Sequence, residues 1–215
     1  SIAAALGFEA MLLRDLGDYD VAIASSDRLI ELATEQKLYL WLAIGMLTRA
    51  SASVGSGDAG AALPLLQQGL TILSSIGTLL SYAYYQVDLA EAHLLAGDLD
   101  ASGAAIDEGL ALSTTLFARF FRPELYRLRA QLLARRGDTG AAEQSALQAL
   151  ALAREWQAKS YELRAAMTLA ELHADGPLRE EARQRVATVL AGFDEGFATV
   201  DLKKARALAL QPAGA

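Results

Sequence analysis

The two histidines, His93 and His173, are the side chains best suited to metal binding or proton transfer, and they stand 80 positions apart. No His-Glu-x-x-His segment sets two imidazoles one helical turn apart, so neither has the spacing of a helix-borne metal pair. The acidic pairs Asp107-Glu108 and Glu180-Glu181 are adjacent. Neighbouring side chains diverge around a helix, whereas hydrolysis by two carboxylates needs them facing across a cleft. Ser25-Ser26 and the pair Ser51 and Ser53 have no histidine nearby in sequence to act as a base. Cysteine is absent, which removes thiolate nucleophiles, thiolate metal sites and disulfides. Gly55-Ser56-Gly57-Asp58 lacks the Lys and Ser or Thr of a phosphate loop and reads as a turn. These patterns predict no enzyme, no cofactor and no metal.

The basic residues read as parts of a scaffold. Arg135-Arg136 precedes Gly137-Asp138, where cations suit the negative end of a helix. Arg119 and Arg122 flank Phe120 and Phe121, with Phe117 just before. The expected arrangement has the aromatics filling a gap between repeats under the arginines; an exposed recognition patch is the other reading. Residues 1–120 carry 5 basic and 14 acidic groups, a net of −9, and residues 121–215 carry 14 and 12, a net of +2. Nucleic-acid binding relies on clustered Lys and Arg that release counterions, so no nucleic-acid contact is expected.

The elements that would hold these residues are helices. Apolar residues make up 53% and aromatics only 7%, with Ala and Leu dominant, which favours helix over strand. Residues 59–87 carry no charge, yet include Pro64, Gly69, Gly77 and several Ser, Thr and Gln. A membrane-spanning helix needs about 20 predominantly apolar residues. The stretch is therefore expected as a buried hairpin, and the chain as cytoplasmic without membrane contact.

A period of 40 organises the chain. Gly-Asp recurs at Gly17-Asp18, Gly57-Asp58, Gly97-Asp98 and Gly137-Asp138, and a related turn follows at Asp175-Gly176-Pro177. Each Gly can end a helix in a left-handed conformation, and each Asp can accept from the next helix's free N–H groups. Ala10, Ala50, Ala90, Ala130 and Ala170 fall in register, as do Ala22, Ala62, Ser102, Ala142 and Ala182. Small side chains at both places let paired helices approach closely. The set Ile30, Leu70, Leu110 and Leu150, beside Leu32, Ile72, Leu112 and Leu152, is the expected buried stripe of the second helices.

The helices are predicted over 2–16, 19–35, 39–56, 59–76, 80–96, 99–115, 122–136, 139–157, 160–174, 178–192 and 199–210. They group into units at about 1–37, 38–77, 78–117, 118–158 and 159–194, with a cap at 197–211. The fold class expected is all-α: one right-handed α-solenoid domain of about five antiparallel hairpins. One hairpin cannot bury its apolar face alone, but a row of them can. Exposed Ile2, Leu6, Leu12 and Leu13 would mark an array cut short rather than a true first cap.

The small residues and Gly-Asp turns resemble the tetratricopeptide-repeat family. Ala90, Ser102 and Gly109 match its three small positions in one unit, and Ala130, Ala142 and Ala149 in the next. The family's usual unit is shorter than the 40-residue period here. The stretches Leu89–Asp98, Leu125–Leu133, Ala158–Ala166 and Gly196–Ala205 also resemble the C-terminal helical-repeat region of large bacterial signalling ATPases. Those proteins carry nucleotide cyclase or transcription-regulator modules upstream, and nothing in this sequence belongs to such modules.

The resemblance implies a groove lined by the first helices. Its positions fall on Tyr84, Val87, Glu91, Glu124, Arg127, Gln131, Arg164, Met167 and Glu171. Gln131 would hold a peptide backbone there, and Arg127 or Arg164 a carboxylate. The competing reading makes Glu124, Arg127, Arg164 and Glu171 solvated residues in local ion pairs of little worth. The corresponding earlier positions, Ile44, Leu47 and Ser51, give a more apolar start to the groove. The expected role is a protein-, peptide- or small-effector-binding regulatory scaffold of a bacterial signalling protein. Homo-oligomerisation as a structural self-association module is the first alternative, and an enzyme with an unfamiliar cleft the second.

Overall fold

The computed structural model describes the backbone of residues 1–115 and 117–210, and their side chains except at 79, 80, 115, 117 and 118. Among the described residues eleven α-helices follow one another: α1 (Ile2–Leu16), α2 (Tyr19–Glu35), α3 (Tyr39–Gly55), α4 (Ala59–Ser75), α5 (Leu79–Ala96), α6 (Leu99–Thr115), α7 (Arg122–Arg135), α8 (Thr139–Glu155), α9 (Lys159–Leu172), α10 (Arg179–Leu190) and α11 (Val200–Leu210). A short 3-10 turn, Phe117–Phe121, precedes α7. No strand occurs among the described residues. The fold is an all-α repeat in which, within each of two units, each helix packs on its sequence neighbour. Residue 211, the last of the expected cap, and Leu116 lie outside the described residues.

The chain divides into two compact units, Ser1–Ala118 with α1 to α6 and Arg119–Ala215 with α7 to α11. Within the first, α1 touches α3 and α3 touches α5 directly; within the second, α7 touches α9 and α9 touches α11. Within each unit the even-numbered helices make no comparable contacts with each other among the described residues. In each unit the odd-numbered helices therefore form the closer row.

The repeated turns explain the helix ends. Gly17, Gly57, Gly97 and Gly137 have φ of 88°, 92°, 81° and 84°, the left-handed region where a Cβ is disfavoured. The amide after each reaches back along the finished helix: Asp18 N donates to Leu13 O at 2.9 Å, and Asp58 N to Ser53 O at 2.8 Å. Asp58, Asp98 and Asp138 then cap the next helix, accepting from the N–H groups of Ala61, Ala101 and Ala141 at 3.1, 3.0 and 3.0 Å. Asp18 makes no such bond. A second series of left-handed turns falls between the Gly-Asp turns, at Lys37 (φ 54°), Gly77 (φ 73°) and Gln157 (φ 55°). The helix breaks here were expected, but the left-handed conformation was not, because only one of the three is glycine.

Both small-residue series are buried, from Ala10 and Ala22 through Ala170 and Ala182. They face each other within a hairpin: Ser102 Oγ donates to the Ala90 carbonyl at 2.9 Å. The stripe of the even helices coincides with the one expected only in part. Ala62, Leu66, Gly69 and Leu73 are buried on α4; of the expected series Leu70 and Leu150 are buried, whereas Ile30 and Leu110 are half-buried. Ile72, Leu112 and Leu152 are likewise only half-covered or lie beside the core. Positions 30 and 32 are two apart, so no single helix face carries both. The buried face instead follows steps of three and four from the small residue. Gly69 shows how tight it is: a Cβ there would come within 2.5 Å of Leu47 Cγ.

The first unit's core joins Leu47, Val54, Leu66, Leu70, Leu73 and Tyr85, with a smaller cluster of Ala3, Leu6 and Leu29. The second unit's core joins Leu150, Leu163, Met167, Leu169, Val186 and Leu202. On α1, Ile2 and Leu12 are exposed but Leu6 is buried and Leu13 half-buried. In the second unit Phe120 is exposed and meets Trp156 edge-on, with ring centroids 6.1 Å apart. The Phe117 side chain lies outside those described.

Candidate functional site

The odd-numbered helices of each unit carry a polar line that leucine-and-alanine packing does not require. In the first unit α1, α3 and α5 bring together Arg14, Thr48, Ser51, Tyr84, Tyr85 and Asp88. The Arg14 side chain is only 9% exposed. It donates from Nη2 to the Tyr84 hydroxyl, and from Nε and Nη2 to Asp15 Oδ1 at 3.0 and 2.6 Å. Its Cζ lies 5.2 Å from the centre of the Tyr84 ring. Its Nη1 stands 3.6 Å from Asp88 Oδ2 without a hydrogen bond. Ser51 Oγ donates to Asp88 Oδ2 at 2.6 Å, with the Leu47 carbonyl a second acceptor at 2.8 Å. The Thr48 and Tyr85 hydroxyls share a hydrogen at 3.1 Å.

Burial dominates the electrostatics. It pushes the Asp88 carboxyl up to about 6, although Arg14 and the Ser51 hydroxyl pull it down. Burial likewise pushes the Tyr85 hydroxyl up to about 12, and raises that of Tyr84. At neutral pH the recess therefore holds neutral phenols, one guanidinium and a carboxylate poor in charge compensation.

In the second unit the line runs over α7, α9 and α11. Arg127 Nε donates to Glu124 Oε1 at 2.7 Å, and Arg164 Nη1 approaches the same oxygen at 3.5 Å. Arg164 Nε donates to Asp201 Oδ2 at 2.6 Å. Glu124 is buried; burial opposes its charge, but the two arginines outweigh it and hold the carboxyl below its ordinary value. Arg183 on α10 donates to the Leu208 and Ala209 carbonyls at 3.2 and 3.3 Å, closing the end of α11.

The sequence-expected groove residues separate accordingly. Glu124, Arg127 and Arg164 meet in one ion-pair network, and Glu124 and Arg127 are buried rather than solvated. Met167 is buried in the second core and Glu171 is exposed. Gln131 is half-buried on α7, and Tyr84, Val87 and Glu91 lie on α5, Val87 and Glu91 half-buried. Sequence reasoning missed Arg14, Thr48, Asp88 and Asp201. A signal existed for Arg14: the register places Val54 and Leu94 at its position in the next two repeats, both buried. An arginine breaking an apolar register marks a specific partner.

His93 lies in the last helical turn of α5 and His173 follows the end of α9. His93 Nδ1 lies 3.8 Å from Asp98 Oδ2, and His173 Nε2 3.3 Å from Glu143 Oε1. Among the described residues no group of His, Asp and Glu could hold a metal ion. No described helix is long and apolar enough to cross a membrane. A surface groove between α3 and α4 is lined by Met46, Pro64, Gln67, Gln68, Thr71 and Ile72 and holds no charged group.

No family model matches the sequence, and no curated protein is significantly similar to it. Solved structures are similar in fold. A crystal structure of a Podosopora anserina putative kinesin light chain with nearly identical TPR-like repeats superposes with a TM-score of 0.57, at 18% identity, over 87% of this chain and 93% of that one. A single-substitution variant of that protein gives 0.58 at 18% identity, over 87% and 92%. The likeness is to the tetratricopeptide-like fold alone.

Proposed function

We propose that the chain is a non-catalytic scaffold whose odd-helix face binds a segment of another protein. One observation carries this reading: in both units that face concentrates buried and half-buried charged and hydroxyl groups where the repeat needs only apolar packing. Tyr84, Val87 and Glu91 form the contact surface of the first unit, and Gln131, Arg164 and Glu171 that of the second, with the buried Glu124, Arg127 and Met167 supporting it from behind. Oriented polar groups held by neighbours lose little freedom on binding, so a short extended segment gains affinity from them. The network around Glu124 fixes Arg164, which is 34% exposed, for an incoming carboxylate or carbonyl.

The wider setting we propose is the regulatory part of a bacterial signalling protein, supported by the resemblance of Leu89–Asp98, Leu125–Leu133, Ala158–Ala166 and Gly196–Ala205 to such repeat regions. Self-association through the exposed Ile2, Phe8 and Leu12 of α1 is the second reading.

A random-peptide display selection on the immobilised chain, repeated with Tyr84→Ala and Arg164→Ala variants, tests the first reading. Enriched sequences that lose at least about tenfold in affinity with either variant support it. Enrichment indifferent to both variants, or none at all, overturns it. Light scattering over a wide concentration range separates the second: a monomer throughout removes self-association.

A further inference from the structure

The repeat register shows what is unusual about Arg14. Its positional equivalents in the first unit are Val54 and Leu94, which are 5% and 2% exposed and simply fill the core. The equivalents of Asp88 are Thr48 on α3, Leu128 on α7 and Thr168 on α9. Packing these helices therefore requires neither an arginine at the first place nor a carboxylate at the second. Both are nonetheless present, and the arginine spans from α1 past α3 to α5.

The recess that receives it has the composition of a guanidinium site. The Tyr84 ring offers its π-face or edge, and its hydroxyl an acceptor. Asp88 offers a carboxylate oriented by Ser51. Small side chains at Thr48 and Ser51 on α3 leave room for a planar group to lie across that helix. The resident group fits imperfectly. Arg14 Nη1 is buried, makes no hydrogen bond and stops 3.6 Å short of Asp88. Its stem is anchored one residue from Asp15, whose carboxylate takes two of its N–H bonds and holds the guanidinium back.

We propose that the Ser51–Tyr84–Asp88 recess is a binding site for a guanidinium side chain, occupied in the free protein by Arg14 and open to an arginine of a partner segment when Arg14 withdraws. The withdrawal is available because Asp15, 61% exposed on its side chain, can keep Arg14 paired at the surface. An incoming arginine is not tethered to α1, so it can approach Asp88 head-on and make the two parallel N–H bonds that Arg14 does not. The reading of the odd-helix face as a protein-binding surface supplies only the biological use of the recess. The chemistry of the recess is tested without any protein partner, so the two can fail separately.

The experiment uses the full chain carrying Arg14→Ala and methylguanidinium as the probe, with methylammonium as the comparison cation. Thermal unfolding is followed by circular dichroism, and binding by ligand-observed NMR. The expected result is a lowered Tm that about 20 mM methylguanidinium raises by a few degrees, saturably, with methylammonium giving less than half the shift. The double variant R14A/D88N should bind methylguanidinium at least about tenfold more weakly. A folded R14A chain that shows no saturable response overturns the proposal, as does an equal response in R14A/D88N. If R14A is unfolded at room temperature, refolding is compared with and without the probe. Helicity recovered only with methylguanidinium supports the site, and no difference overturns it.

Discussion

The Arg14 guanidinium on α1 stands 3.6 Å from the Asp88 carboxylate on α5, with α3 contributing Ser51 between them. Three helices that could slide by a turn under apolar packing alone are thereby pinned in one register. Losing one partner of a buried pair leaves an uncompensated charge, whereas losing both removes the penalty. Arg14→Ala should cost about 2–3 kcal/mol in urea unfolding, and Asp88→Asn about 1 kcal/mol, because Arg14 keeps Asp15 and Tyr84. The double variant should fall short of the sum by more than about 1 kcal/mol. Strict additivity would show that the two do not interact.

The same carboxylate sets a pH dependence. Burial raises Asp88 to about 6, above its unfolded value, so the folded state binds the extra proton. Stability should rise as pH falls from about 7.5 to about 5, by about 1–2 kcal/mol. The side chain is 17% exposed, which leaves little solvent screening. Arg14 favours the charged form; Glu91 and Asp15 favour the protonated one. Glu124 acts in the opposite sense: its lowered pKa stabilises above the ordinary carboxylate range and is lost as pH falls through the folded value. A Tm maximum near pH ~5 is expected, and Asp88→Asn should flatten the limb above it. An unchanged limb in that variant would show another group is responsible.

Two glycines of α4 should respond oppositely to alanine. At Gly69 the new Cβ would sit 2.5 Å from Leu47 Cγ, and Leu47 is fully buried with no room to retreat. Gly69→Ala should destabilise by about 1–3 kcal/mol. At Gly60 the nearest atom is Asp58 Oδ1 at 3.7 Å, so the added methyl meets only ordinary contact. Gly60→Ala should stabilise by about 0.5–1 kcal/mol through the unfolded chain. Thermal melts of both distinguish close packing from simple propensity.

Lys37 holds φ at 54° in a turn where the matching position, forty residues on, is Gly77. Left-handed backbone costs a residue with a Cβ about 1 kcal/mol, so Lys37→Gly should leave stability unchanged or raise it by up to about that amount. Gly57 sits at φ 92°. Gly57→Ala should lower stability by about 1 kcal/mol. A marked loss in Lys37→Gly would mean that its side chain carries an interaction of its own.

Arg183 ties the last carbonyls of α11 to α10, and Arg164 ties Asp201 near its start. Arg183→Met retains the apolar stem and removes the cap. Hydrogen exchange of the amides of α11 should speed by at least about tenfold, with α7 to α9 unaffected. Equal protection in wild type and variant would show α11 is held by Leu202 and Ala205 alone.

The 40-residue period was legible in the chain itself. A Gly-Asp pair every forty residues and two small-residue series in the same register locate the helices, because left-handed turns and close helix contacts admit few residue types. The even-helix stripe was legible only in part, Leu70 and Leu150 being buried but Ile30 and Leu110 half-buried, because Leu and Ile stand on both sides of the buried face and their identity does not say which side packs. The left-handed conformation at Lys37 and Gln157 was invisible, although the helix breaks there were expected: tertiary packing imposes that backbone on residues that do not ask for it. What only the folded chain decided is which charged groups meet. Arg14, Ser51 and Asp88 lie 37 residues apart in succession, on three successive odd helices; only the register singles out Arg14, and nothing distinguishes Ser51 and Asp88 from surface polar residues. Stacking the hairpins removes water from that line, and the low-dielectric contact turns ordinary polar residues into a matched recess.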